Sequence, residues 1–321
     1  MLTISCDTSR LDLERPAGPA VYAIAILQTL HGAREVAVVG AEREREADVI
    51  LAVDGRFRTG RGQRTVTVVS NLGHLLDRRG FGPREWLLQN WRVASAARRS
   101  DHLVVPSTAV QVGLERYLGT PPDRVTVFEA HPGAEFRRRS RSEVEAVRAS
   151  LGLQERYLLF VGTSRRRKNL GLLAKAWSLA RRRLGPEVGL VLAGRGSGGV
   201  PWARDVGYVG ADRLPALISG AVAWLNPSLY EGSAVGVWEA ISCGAPALVA
   251  ATGASARAVG RAGIALAPHD PDAWAEAMVD VVTNTELRAS LAAAGLRAAA
   301  ELRSSRPGPE RLLRAVGPGP G

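Results

Sequence analysis

The sequence predicts two α/β domains, each a parallel sheet with helices on both faces. Three observations carry that expectation. The chain has 321 residues, about twice the usual length of one compact domain. Short β-branched runs alternate with helical stretches, first in one half and then again in the other. Between the halves lies a short segment with His131-Pro132-Gly133 and an arginine run, which reads as a crossover linker. Strands separated by helices make parallel neighbours, and a doubly wound sheet results.

In the first half, strands are expected at residues 2–6, 35–39, 49–53, 65–69, 103–105 and 124–128. Helices are expected at 20–30, 84–97 and 108–118, and a helix at 142–151 would close the first domain. In the second half, strands are expected at 157–161, 189–193, 206–209, 222–226, 247–250 and 264–266. Helices fall at 170–183, 213–219, 237–242, 272–282 and 286–302. The resulting domains are residues 1–150 and 151–303. Residues 304–321, with Pro307, Pro309 and a GPGPG end, read as a flexible tail. Two such halves would present the carboxyl ends of two sheets to an interdomain cleft, where this architecture binds ligands.

Composition narrows the chemistry. The formal charge of +11 draws in polyanions, whether nucleotide diphosphates, nucleic acid or anionic membrane. Much of the excess is arginine, in runs at 137–139, 165–167 and 181–183, and only the middle run coincides with an expected phosphate site. Cys6 and Cys243 lie far apart, which suits a reducing cytoplasm rather than a disulfide framework. No apolar run approaches the ~20 residues of a membrane-spanning helix. The start MLTISCDTSR reads as a buried strand instead of a leader.

Two segments carry the chemistry. PSLYEGSAVGVWEAISCG, residues 227–244, sets Glu231 in a strand-to-helix loop and Glu239 on the following helix. A carboxylate can accept two hydrogen bonds from a vicinal diol, and ionised acceptors bind about twice as strongly as neutral ones. The loop's amides and the helix start favour a diphosphate. Helix capping by Glu231 and solvation of Glu239 is the other reading of that spacing. Upstream, FVGTSRRRKNLGLL, residues 160–173, places Arg167 and Lys168 in a loop after a strand, where two cations can offset charge on a leaving diphosphate. A solvated basic loop is the alternative.

These segments resemble the retaining GT-B glycosyltransferases of family 4. Pro227, Ser228, Tyr230, Glu231, Gly232, Glu239, Ala240 and Gly244 match that family's Glu-x7-Glu segment, PSxYEGFGLPxLEAMAxG. Ser233-Ala234-Val235-Gly236 stands where Phe-Gly-Leu-Pro is common. Gly162, Thr163, Arg167, Lys168, Asn169 and Leu170 match its GTxxPRKN segment, with Arg166 at the proline. The residues around Val206–Gly210 are similar to the strand whose backbone, at Val209, meets the nucleotide base. PGAEF, residues 132–136, is similar to the interdomain PGVDxxF segment. The likeness runs from about residue 100 to 302.

The resemblance implies two Rossmann-like domains and transfer of a hexosyl group, with retained anomeric configuration, from GDP-mannose or a UDP-hexose. It assigns the catalytic roles to Glu231, Lys168 and Arg167. Donor binding falls to Glu239, Gly162, Thr163, Gly232, Ser233, Ala234, Val235 and Val209. Acceptor-side candidates are Gly18, Ser70, Asn71 and His74, since Ser70-Asn71 occupy the family's His-Asp position and His74 follows four residues on. A carbohydrate, lipid-linked or natural-product acceptor, no cofactor, no metal, no specific nucleic acid, peripheral membrane contact and a monomer or homodimer complete the expectation. Location would be cytoplasmic, at or near the inner membrane surface. A degenerate or phosphorylase-type GT-B protein is the same-fold alternative, and a basic nucleic-acid-binding protein is suggested by charge alone.

Two patterns are set aside. Gly194–Gly199 is a formal GxGxxG, but Pro201 and a strand follow it where a dinucleotide site requires a helix. Asp270-Pro271-Asp272 is a formal DxD metal motif better read as a helix N-cap.

Overall fold

The computed structural model describes residues 1–9, 19–53, 63–76, 78, 81–196, 199–304 and 309–317. The chain divides into two compact units, Met1–Ala130 with Arg306–Gly321, and His131–Ser305. In the first unit the order is β1 (Leu2–Cys6), α1 (Pro19–His31), β2 (Val36–Val39), β3 (Val49–Ala52), β4 (Arg64–Val68), α2 (Gly73–Leu76), α3 (Pro83–Arg99), β5 (His102–Val105), α4 (Thr108–Leu118) and β6 (Val125–Val127). The second contains α5 (Arg141–Leu151), β7 (Arg156–Val161), α6 (Leu170–Leu184), β8 (Val188–Ala193), β9 (Arg204–Gly207), α7 (Leu214–Ser219), β10 (Ala223–Asn226) and α8 (Val235–Ser242). It continues with β11 (Ala247–Ala250), α9 (Gly253–Val259), β12 (Gly263–Leu266), α10 (Pro271–Thr283) and α11 (Thr285–Ser304), and α12 (Glu310–Val316) ends the described chain.

All strand pairs are parallel. The first sheet runs β2-β1-β3-β4-β5-β6 and the second β12-β11-β10-β7-β8-β9. Counted within its own unit, the second sheet has the order 3-2-1-4-5-6 of a dinucleotide-type fold, and the strand order reverses between β7 and β10. In the first sheet the reversal lies between β1 and β3. Loops leaving a reversal point go to opposite faces of the sheet, so a crevice opens at the strands' carboxyl ends.

Central strands such as β8, VGLVLA, are buried throughout, as a sheet covered on both faces requires. On one face of the second sheet, Leu173, Trp177 and Ala180 of α6 pack with Trp274, Met278 and Val281 of α10. The opposite face is covered by Leu217 and Ile218 of α7, Val237 and Ile241 of α8, and Ala299 of α11. These apolar residues recur at helical spacing, which gave their helices away in the sequence.

All twelve expected strands are present, β9 two residues earlier than its expected 206–209. The expected boundaries at 150 and 303 need correction. Helix α5 does not close the first unit: Val147 and Leu151 pack into the core of the second, beside α7. Its start is held by a reciprocal cap, with Ser140 accepting from the Glu143 amide and Glu143 accepting from the Ser140 amide. The expected tail contains α12, which packs on α1 and on β4, β5 and β6 of the first unit. Leu312, Ala315 and Val316 are buried there, a spacing of three and four too short to stand out beside Pro307 and Pro309.

Leu312 is fully buried, so Leu312→Ala should lower unfolding free energy by about 2–5 kcal/mol. Urea melts would show it, and a loss below about 0.5 kcal/mol, the surface range, would mean that α12 is not docked.

Candidate functional site

The reversal point of the second sheet is where the chemistry-bearing loops emerge. Residues 162–169 leave β7, and residues 227–234 leave its neighbour β10. The first loop closes in a short 3₁₀ turn over Arg166–Lys168 and ends at Asn169 in the left-handed region, φ 56°. Asparagine tolerates that conformation better than most residues. Here its side-chain amide also donates to the carbonyls of Pro227, at 3.2 Å, and Pro268, at 2.9 Å. The Leu229 amide donates to the Arg167 carbonyl at 2.8 Å, which ties the two loops together.

This turn sorts the basic run. Arg165 and Arg166 are exposed, while Arg167 and Lys168 turn inward, with side chains only 14% and 16% exposed. Both reach Glu231: Lys168 Nζ lies 2.5 Å from Oε1 and Arg167 Nη1 lies 3.2 Å from Oε2. Burial pushes the Glu231 carboxyl up, but the fields of Lys168 and Arg167 outweigh it and hold the group at about 2. Glu231 is therefore ionised at neutral pH. Burial pulls Lys168 down, opposed by the same carboxylate. Two cations share one anion, so the cluster keeps one formal positive charge facing the loops.

The backbone around Glu231 is equally constrained. Its carbonyl accepts from the Ala254 amide at 2.9 Å. Gly253, φ 58°, approaches so closely that a Cβ there would lie 2.4 Å from the Glu231 carbonyl oxygen. Only glycine fits both the conformation and the space. Behind the loop, Ser228 donates to Asn226 at 2.5 Å, and Thr252 donates to the Ser228 carbonyl at 3.1 Å.

Beyond Glu231 the loop runs through Gly232, Ser233 and Ala234 into α8 at Val235. Ser233 Oγ accepts from the Val235 amide at 3.3 Å. Glu239 follows one turn into the helix. It is half-buried, and among the described residues it makes no ion pair and no side-chain hydrogen bond. Burial, reinforced by the charge of Glu135, pushes its carboxyl up to about 8. The two carboxylates eight positions apart are thus opposites, one locked by two cations and the other unmatched.

Gly162 and Thr163 lie in the loop directly after β7, and the Gly162 amide donates to the Ala193 carbonyl at 2.8 Å. Val209 is buried just beyond β9. Asp270 Oδ1 accepts from the Ala273 amide at 3.0 Å, the N-cap expected of it. After Gly194, the described residues up to β9 contain no helix. Sequence reasoning missed the structural parts played by Asn169 and Gly253 and the charge of Glu135 beside Glu239. Asn169 was visible within its motif, whereas the other two depend on contacts distant in sequence.

In the first unit, Gly18 lies outside the described residues. Ser70 and Asn71 follow β4, and Asn71 Oδ1 accepts from the Gly73 amide at 2.6 Å. His74 is buried in α2 against Phe81, ring centroids 6.1 Å apart. Burial lowers it to about 4, so it is neutral at neutral pH, which suits a packed side chain better than a loop group that exchanges protons. Tyr22, in the segment after Gly18, is buried and donates to the Phe128 carbonyl at 2.8 Å.

Comparisons with known proteins define the class. The chain has the GT-B glycosyltransferase fold. It superposes on WaaG, a glycosyltransferase involved in lipopolysaccharide biosynthesis, with a TM-score of 0.78 at 16% identity over 99% of this chain and 100% of that one. Anabaena Alr3699/HepE, solved with UDP and glucose, gives 0.72 at 16% identity over 94% and 95% of the two chains. Residues 155–284 match the family model described as Glycosyl transferases group 1, and that part of the chain is a glycosyl transferases group 1 domain. O-antigen chain mannosyltransferase B of Escherichia coli is 29% identical over 196 residues, 56% of this chain and 51% of that protein. A D-inositol 3-phosphate glycosyltransferase of Salinispora arenicola is 32% identical over 222 residues, 59% of this chain and 49% of that protein. The chain spans about half the length of the curated relatives it matches.

The unmatched carboxyl has a signature in stability. Because Glu239 binds its proton up to about pH 8 when folded, against 4.5 ordinarily, its contribution is full below 4.5 and is lost as pH rises through 8. Glu239→Gln, uncharged throughout, should flatten that fall. Urea melts of both proteins at about pH 5 and about pH 8 are the check, and identical pH slopes would contradict the raised value.

Proposed function

We propose that this chain is a glycosyltransferase moving a hexosyl group, with retained configuration, from a nucleoside-diphosphate sugar to a carbohydrate, lipid-linked or natural-product acceptor. The observation that carries the reading is the buried Arg167–Glu231–Lys168 cluster at the reversal point of the second sheet. Its surplus positive charge, beside the loop amides at the start of α8, suits a diphosphate. Glu239, unmatched and half-buried, suits the two hydroxyls of a ribose, and the backbone near Val209 suits the base. In this reading Thr163 and the amides of 232–235 complete the diphosphate cradle.

The bond from the anomeric carbon to the diphosphate oxygen breaks, and negative charge grows on that oxygen. Lys168 and Arg167 are already desolvated and placed by Glu231, so they stabilise the growing charge with little reorganisation. Ionised Glu231 faces the sugar and favours the positive character that develops on the ring. The acceptor hydroxyl attacks from the face the diphosphate leaves, and its proton passes to the departing phosphate oxygen. The two side-chain cations supply charge that a metal supplies in other designs, so no metal is required in this mechanism.

The name of the Escherichia coli relative favours a mannosyl donor, and the UDP and glucose bound to the Anabaena protein favour a UDP-hexose, so GDP-mannose and UDP-hexoses are the donors to test. Acceptor contacts are assigned to the first unit, around Ser70 and Asn71. Cys243 is a free, buried thiol, in keeping with a cytoplasmic setting.

Lys168→Ala should lower kcat about 100- to 1,000-fold, with a smaller change in KM, because its interaction strengthens as charge develops. Steady-state kinetics with the preferred donor, on protein shown by melting to be folded, would test it. A folded variant with near-normal turnover would remove the cluster from the reaction.

A further inference from the structure

Three small polar side chains lie sealed beneath the Glu231 loop, in a place that apolar residues usually fill. Asn226, the last residue of β10, is 6% exposed, Ser228 2%, and Ser255 of α9 3%. Buried polar groups are costly unless hydrogen-bonded, and these three are bonded into a chain. Ser228 Oγ donates to Asn226 Oδ1 at 2.5 Å, and Asn226 Nδ2 donates to Ser255 Oγ at 3.3 Å. The main chain beside the hydroxyl is pinned: Thr252 donates to the Ser228 carbonyl, and Asn169 to the Pro227 carbonyl. The same Ser228 hydroxyl also hydrogen-bonds to the Glu231 carboxylate. A hydroxyl has a single proton, so it can donate to Asn226 or to Glu231 but not to both.

The chain of bonds can run in either direction. The oxygen and nitrogen of a carboxamide are nearly alike in size, so a half-turn of the Asn226 amide exchanges its acceptor for its donor. Ser255 then donates to Asn226 Oδ1, Asn226 Nδ2 donates to Ser228 Oγ, and the Ser228 proton is released to Glu231. Every member keeps a partner in both directions, so the network stays satisfied through the reversal. What selects the direction is Glu231. With Lys168 Nζ at 2.5 Å and Arg167 Nη1 at 3.2 Å, the carboxylate is matched and the proton can stay on Asn226. A diphosphate competes for both cations. A buried carboxylate that loses part of its cationic partnership needs another donor. A hydrogen bond to an ionised acceptor is also about twice as strong as one to a neutral amide.

We propose that Ser228 is a positioning residue: through the reversible Ser255–Asn226–Ser228 chain it turns its proton to Glu231 when a diphosphate draws on Lys168 and Arg167. This role rests on the donor reading of the cluster, but the reversal can be tested without any nucleotide. Lys168→Met withdraws one cation permanently. In urea melts, Ser228→Ala should therefore cost the folding equilibrium about tenfold more in the Lys168→Met background than in the parent chain. Calorimetry on the full chain supplies the second arm. Ser228→Ala should weaken binding of GDP or UDP, whichever the parent prefers, by about tenfold or more. The matching monophosphate, GMP or UMP, should be weakened far less, a difference that general damage to the loop would not produce. Ser228→Thr, which keeps the hydroxyl, should restore the parent's values. Ser255→Ala, at the far end of the chain of bonds, should act in the same direction as Ser228→Ala and less strongly. Equal costs of Ser228→Ala in the two backgrounds would overturn the proposal, as would an unchanged ratio of diphosphate to monophosphate affinity. Coupling in the melts of a protein that binds no nucleotide would instead uphold the reversal and overturn the donor reading.

Discussion

Two cations and one carboxylate, all but withdrawn from water, hold the centre of this molecule's second unit. Desolvating three charges is costly, and the mutual attraction of a buried pair seldom returns more than it takes. Such a cluster is a poor way to stabilise a fold when leucines of the same volume would serve. What it achieves is position. Glu231 fixes Lys168 at 2.5 Å and Arg167 at 3.2 Å, where the strand order of the second sheet reverses. The surrounding constraints follow from that placement: the left-handed Asn169 that turns the basic run inward, the glycine at 253 that lets α9 approach the Glu231 carbonyl, and the Ser228–Asn226 contact beneath the loop.

The contrast between Glu231 and Glu239 gives the site its logic. Both carboxylates are removed from water to a similar degree, yet one is held at about 2 and the other pushed up to about 8. The difference lies in what each faces. Glu231 faces two cations, whereas burial acts on Glu239 unopposed and the charge of Glu135 adds to it. A carboxylate placed without a partner is expensive unless a ligand supplies hydrogen bonds, so the cost reads as a binding function on a site already poised for an anion.

Much of this was legible in the sequence, for physical reasons. Parallel strands buried on both faces leave continuous apolar runs, and amphipathic helices leave a 3.6-residue period, so all twelve strands could be placed before the fold was seen. The two loop motifs keep their residues within about fifteen positions, which makes them readable as strings. What could not be read were relations between distant segments. The membership of α5 depends on a core it shares with α7 and α8. The return of α12 to the first sheet depends on three apolar residues behind a proline-rich stretch. The burial of His74, which favours packing over proton exchange, depends on Phe81 and the helix around it. Glu135 reveals itself only as a neighbour of Glu239.

The central claim is that the Arg167–Glu231–Lys168 cluster receives a diphosphate while Glu239 receives a ribose. A crystal structure with GDP or UDP bound, whichever binds more tightly in calorimetry, tests both halves at once. The account predicts phosphate oxygens within hydrogen-bonding distance, about 2.7–3.2 Å, of Lys168 Nζ and the Arg167 guanidinium, with both ribose hydroxyls on the Glu239 carboxylate. A nucleotide seated elsewhere, with the cluster and Glu239 untouched, would contradict it.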